Sequence, residues 1–164
     1  MLYIAFDQAS GETGFSVFLN SKLVAYGKKK TSHYDFMENV LETEKFMLET
    51  INKYLEQYKP KQYTIALEEI QMQHRGGVDT FKKLAQLQGV LITSVMKNHP
   101  DAKLELIYAS TWKAFAKVKG NSRAEQKRNA QAKVQELFGK SVTQDEADAI
   151  LIGYSLAGSQ LNWE

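Results

Sequence analysis

Two almost wholly apolar runs in this chain each stop at an acidic residue. Leu2-Tyr3-Ile4-Ala5-Phe6 ends at Asp7, and Tyr63-Thr64-Ile65-Ala66-Leu67 ends at Glu68. Runs apolar on both faces read as strands in the middle of a sheet, covered on both sides. The chain must therefore supply helices for two faces. It must also accommodate carboxylates at the ends of buried strands, where an unpaired charge is costly unless something cationic gathers it.

The rest of the chain meets the first demand. After the strand at 2–7, Ser10-Gly11-Glu12-Thr13-Gly14 reads as a turn. Phe15–Leu19 reads as a second strand, Asn20-Ser21 as a two-residue hairpin, and Leu23–Lys29 as a third strand. A helix from Asp35 to Tyr58 follows, with Met37, Leu41, Leu48, Ile51 and Leu55 as its buried stripe and Pro60 as its stop. The fourth strand runs from Gln62 to Glu68, and Gln71 to Gly77 is a polar loop. The next helix spans Val78–Asn98 and is closed by Pro100. Phe81, Leu84, Ala85, Leu91, Ile92 and Val95 form one face, and Leu87 and Val90 widen it. So much apolar circumference predicts burial both in the core and against a second subunit. Lys103–Tyr108 is the fifth strand. A helix over Ser122–Phe138 buries Ala130, Val134, Leu137 and Phe138, and the last helix begins near Thr143, where Thr143 and Glu146 match a capping box. The order β-β-β-α-β-α-β-α-α predicts an α/β fold, a mixed five-stranded sheet flanked by helices. At 164 residues, a single domain over 1–164 is expected.

The absence of cysteine excludes disulfides, thiolate metal sites and thiol catalysis. No apolar stretch reaches membrane-spanning length, and the N-terminus runs straight into a strand pattern without a signal peptide. A cytoplasmic location is the default. Charge is unevenly spread. From Lys113 to Lys140 there are eight basic residues against two acidic ones, a local +6, which leaves −4 for the rest of a +2 chain. A basic block beside an acidic site suits a polyanion held over metal-binding carboxylates; a solvated helix face is the plainer alternative.

The carboxylates now fall into order. If Thr143 caps the last helix, Asp145 and Asp148 lie three apart on one face near its N-terminus, which favours negative charge. Asp7 and Glu68 close two strands. Glu69 competes with Glu68, because the residues before them are apolar on both faces. Two Mg²⁺ ions between these ligands, with Mn²⁺ as a substitute, would point to phosphodiester cleavage. Of the histidines, His33, His74 and His99, none pairs at metal-ligand spacing, and His33 and His99 read as surface residues. Trp112 and Phe115 read as packing against the core rather than as base-stacking platforms.

Ile4-Ala5-Phe6-Asp7-Gln8-Ala9-Ser10 with Thr13-Gly14, Ile65-Ala66-Leu67-Glu68-Glu69, Lys83-Leu84-Ala85-Gln86 with Gly89-Val90, and Asp145-Glu146-Ala147-Asp148-Ala149 occur in an order that resembles the RuvC-type Holliday-junction resolvases of the ribonuclease-H-like superfamily. The similarity runs along nearly the whole chain, with a phage-type member as the narrower reading and a bacterial or phage-infected cell as the setting. It implies a ribonuclease-H-like fold and a metal-dependent endonuclease that nicks four-way or other branched DNA in pairs. It also implies Asp7, Glu68, Asp145 and Asp148 as ligands of two ions per site, favours Glu68 over Glu69, and implies a homodimer through the helix near 78–98. Basic residues after the fifth strand approach the scissile phosphate in the family. Lys113 matches that pattern, and Lys127 and Lys119 compete for the second place. Lys117, Lys119, Arg123 and Arg128 extend the DNA-binding surface.

Two departures stand out. The usual Pro-Gly after the first aspartate is Gln8-Ala9, which should not disturb metal binding. The family often carries a base-stacking aromatic three residues after the glutamate, where this chain has Gln71. Met72, His74 and Arg75 in the same loop are candidates to replace it, which predicts a relaxed choice among branched substrates. Two other classes fit the residues: a non-catalytic branched-DNA-binding protein, and an actin- or hexokinase-like phosphotransferase, for which the chain is short.

Overall fold

The computed structural model describes residues 1–72 and 77–160. Its elements are β1 (Leu2–Asp7), β2 (Glu12–Leu19), β3 (Lys22–Lys30), α1 (Phe36–Tyr58), β4 (Tyr63–Glu69), α2 (Gly77–Asn98), β5 (Lys103–Tyr108), α3 (Ala109–Phe115), α4 (Arg123–Phe138) and α5 (Gln144–Gln160). The sheet order is β3-β2-β1-β4-β5. The first three strands pair antiparallel, whereas β1–β4 and β4–β5 pair parallel. The mixed five-stranded α/β fold is as expected, with the short α3 added between β5 and α4.

β1 sits in the centre and is buried on both faces. Alternation sends Leu2, Ile4 and Phe6 into one core, with α1 and α2, and Tyr3 and Ala5 into the other, with α3, α4 and α5. The register Ala5↔Ala66 puts two small side chains side by side beneath α5. On β2, Ser16 donates to the Ala149 carbonyl of α5 at 2.7 Å. Close approach is what small residues on a packing face permit.

Helix ends follow local chemistry. Asp35 caps α1, accepting from the backbone N–H groups of Met37 and Glu38 at 2.7 and 3.3 Å. Ser122 caps α4, accepting from Glu125 N–H at 3.1 Å. Thr143 and Glu146 form the expected capping box: Thr143 N–H donates to the Glu146 carboxylate at 2.9 Å, and Glu146 N–H donates to Thr143 Oγ1 at 3.5 Å. No described helix is long and apolar enough to cross a membrane.

Several expectations need correction. β2 begins at Glu12, inside the expected turn, because Glu12 and Thr13 pair with Lys30 and Lys29 of β3 and Gly14 pairs with Asp7 of β1. The buried side of α1 is Val40, Thr43, Met47, Thr50, Ile51 and Tyr54, while Met37 and Leu41 are exposed. The packing face is rotated from the expected stripe because two threonines take core positions. On α2, Leu87, Gln88, Leu91, Ser94 and Val95 are buried, whereas Phe81, Leu84, Ala85 and Ile92 are only partly covered. Leu137 of α4 is exposed. His99 is buried, not a surface residue: the turn after α2 bends back, Ala102 N–H donating to the His99 carbonyl at 3.0 Å, and the ring meets Tyr63 edge-on. Burial lowers the pKa of its imidazole.

Gly14 tests the close approach. A Cβ there would overlap the Asp145 carbonyl oxygen and stand 2.8 Å from its carbon, whereas a Cβ on Gly11 would meet nothing within 4 Å. Gly14→Ala should therefore lower stability in urea unfolding by about 2 kcal/mol, the usual range for overpacking, and Gly11→Ala should leave it nearly unchanged. A Gly14→Ala chain as stable as its parent would contradict the packing of α5 on β2.

Candidate active site

One pocket of about 430 Å³ opens at the carboxyl ends of β1 and β4. Asp7, Glu68, Asp145 and Asp148 all line it. Strand alternation explains two of them. Asp7 follows Tyr3 and Ala5, and Glu68 follows Ala66, on the face that α5 covers. Helix geometry explains the others: Asp145 and Asp148 lie on neighbouring turns at the start of α5, where N–H groups favour negative charge. Glu69 points the other way, its Oε1 accepting from Ile70 N–H at 2.9 Å and Gln88 Nε2 at 3.2 Å.

The carboxylates perturb one another. Burial raises the Asp7 pKa well above the usual aspartate range, and Glu68, Asp148 and Asp145 raise it further. Asp148 is pushed up to about 6, mainly by burial and then by Glu68. Burial also raises Glu68, although a hydrogen bond from Trp112 and the charges of Lys113 and Arg123 oppose the shift. Such a group of acids is what a hard divalent cation would relieve, and all four donors are oxygens. Among the described residues no three acidic or histidine side chains converge closely enough to form a ready-made metal cage. The site is a set of oxygen donors around an open pocket.

The opposite wall is cationic and polar. Lys113 of α3 and Lys127 and Arg123 of α4 line the same pocket. Lys113 Nζ donates to Gln126 Oε1 at 3.1 Å and lies 5.3 Å from the centre of the Trp112 ring. Lys127 lowers the pKa of both Asp7 and Asp148, which places its charge near the acids. Lys119, its competitor, does not line the pocket; it is exposed, and its carbonyl accepts from Asn129 Nδ2 at 2.5 Å. Lys117 and Arg128 are also exposed outside the pocket. Gln71 lines a small adjoining cavity of about 90 Å³ with Gln8, Glu69 and Leu84, and Met72 beside it is exposed. His74 and Arg75 lie outside the described residues.

Sequence reasoning missed two contacts. Trp112 is buried as expected, yet its indole N–H donates to Glu68 Oε2 at 2.8 Å. Gln8 is buried and bonds the backbone of Glu68 from both sides. The replacement of Pro-Gly by Gln8-Ala9 was the available signal for Gln8; nothing in the sequence marked the Trp112 contact.

A protein-family model described as crossover junction endodeoxyribonuclease RuvC matches residues 4–155. The fold is similar to RuvC of Thermus thermophilus in complex with Holliday junction substrate, with a TM-score of 0.73 and 16% identity over 98% of this chain and 96% of that one. It is also similar to the yeast mitochondrial Holliday junction resolvase Ydc2, with a TM-score of 0.55 and 13% identity over 98% of this chain and 80% of that one. No curated protein matches the chain in sequence.

The raised carboxylates make a pH prediction for the metal-free chain. An acid whose folded pKa lies above its unfolded value binds more protons when folded, so stability falls as pH rises from about 4 to about 6. For Asp148, moved from 3.8 to about 6, the difference is about 3 kcal/mol. Without divalent metal, Asp148→Asn should therefore be more stable than its parent at pH 7.5, and the gap should close by pH 4. Equal urea midpoints for the two chains at pH 7.5 would contradict the burial of this charge.

Proposed function

The chain belongs to the RuvC family of crossover junction endodeoxyribonucleases, matched over nearly its whole length, and from that premise we propose that the carboxylate pocket resolves four-way DNA junctions by paired strand nicks. One observation carries this assignment: acids from β1, β4 and α5 share a pocket with basic residues from α3 and α4. The acids suit cations, and the bases suit phosphate.

Divalent-metal dependence goes with the family. In this chain Asp7, Glu68, Asp145 and Asp148 would hold two Mg²⁺ ions, with Mn²⁺ substituting. When bound, such ions supply activation of the attacking water and stabilisation of the leaving oxygen. Lys113 and Lys127 hold the scissile phosphate against the acids, with Arg123 at the rim of the same wall. Lys117, Lys119 and Arg128 track the flanking backbone, an electrostatic contribution that weakens with salt. Gln71 and Met72 face the junction centre, and His74 and Arg75, which follow them in the sequence, are the remaining candidates for contacting it. Without a stacking aromatic at Gln71, branched substrates other than four-way junctions are accepted too.

Paired nicks call for two pockets, hence a homodimer through α2. A groove of about 670 Å³ between α1 and α2, lined by Met37, Val40, Gly89 and Val90, supports that surface. Val78 and Met96 of α2 are exposed as well. A lone protomer would leave single, unpaired nicks.

The acids give the sharpest test. Asp7→Asn and Asp148→Asn keep side-chain shape but remove a candidate ligand. Each should slow Mg²⁺-dependent junction cleavage by more than the about 100-fold typical of outer-shell changes. Junction affinity in a gel-shift assay without divalent metal should be unchanged. Full cleavage by either variant would sink the assignment.

A further inference from the structure

Glu68 is held in two ways by residues outside the four candidate ligands. The β1–β4 ladder ends at the pair Phe6↔Leu67. Beyond it, the Gln8 carboxamide acts like one more peptide group: Nε2 donates to the Glu68 carbonyl at 2.6 Å, and Oε1 accepts from the Glu68 N–H at 3.1 Å. The carboxylate itself is held by Trp112, whose indole N–H reaches Oε2 at 2.8 Å. An indole N–H can only donate, so this bond favours the ionised acid. Both partners are deeply buried, Gln8 at 6% and Trp112 at 1% exposure, so neither bond exchanges readily with water. Trp112 also lies beneath the Lys113 ammonium, which α4 holds through Gln126.

We propose that Gln8 and Trp112 are positioning residues for Glu68, the first fixing its backbone and the second its carboxylate, and that together they set the pocket's affinity for divalent cations. The proposal rests on the reading of Glu68 as a cation ligand. Gln8 stands where the family's usual Pro-Gly, which has no side-chain amide, would be. The backbone clamp is therefore a property of this chain. Partners of this kind change metal affinity or activity by about 10- to 100-fold when removed.

The test uses Tb³⁺ alone and then Mg²⁺ with junction DNA. The chain has two tryptophans, so Trp163→Phe leaves Trp112 as the sole indole. Tb³⁺ bound at Glu68 should give strong indole-sensitised emission in that chain and lose it in Trp163→Phe/Trp112→Phe. Gln8→Ala should raise the Tb³⁺ midpoint by about tenfold or more. In cleavage, Gln8→Ala and Trp112→Phe should each raise the Mg²⁺ midpoint by a similar factor. Most of the rate should return at saturating Mg²⁺, and junction affinity without metal should stay unchanged. If the cavity left by Trp112→Phe prevents folding, Gln8→Ala still decides, because Gln8 lies just past the end of β1 and belongs to neither apolar core. Wild-type midpoints in Gln8→Ala, or no sensitised emission from Trp112, would overturn the proposal. A parent chain that shows sensitised emission but cuts no junction would instead overturn the proposed function and leave the positioning of Glu68 standing.

Discussion

The close approach of α5 to the sheet is the contact on which the site depends. It is made possible by small residues on both sides: Ala5, Gly14, Ser16 and Ala66 on the strands, and Ala147, Ala149 and Gly153 on the helix. A Cβ on Gly153 would stand 2.5 Å from Ser16 Oγ and 2.8 Å from the Phe18 ring. Because α5 lies so close, its first two turns bring Asp145 and Asp148 to the strand ends that carry Asp7 and Glu68. The apolar core beneath, with Ile150 and Leu151 fully buried, supplies the burial energy that holds mutually repelling acids together.

That repulsion is the electrostatic signature of the site. Asp7 and Asp148 are both shifted toward protonation, and burial is the larger cause in each. The opposing wall offsets part of it through Lys127 and Lys113. Two fields of opposite sign thus meet across one pocket. The negative side attracts cations and the positive side attracts a polyanion, so cations and DNA can be held together without either side alone neutralising the site.

Much of this was legible in the chain. β5 has the expected bounds, and the Thr143–Glu146 box opens α5 as its spacing predicts. The resemblance favoured Glu68 over Glu69, but the strand pattern alone could not choose, because alternation assigns faces only when the neighbour on each face is known. Once Ala5 pairs with Ala66 and α5 covers that face, Glu68 follows. The buried side of α1 was misjudged because Thr43 and Thr50 occupy core positions that a count of apolar residues skips. α3 is only seven residues long and lies in a run read for its charge, so its helical period had no room to show. Trp112 was placed correctly in the core, but an indole N–H bonded to an acid 44 positions earlier leaves no local trace.

The most direct measurement maps every cut on labelled four-way, three-way and flap DNAs in the presence of Mg²⁺. Paired cuts at symmetry-related positions on opposing strands of the four-way junction are the expected result. Cuts confined to flaps, or unpaired nicks scattered over the four strands, would contradict it.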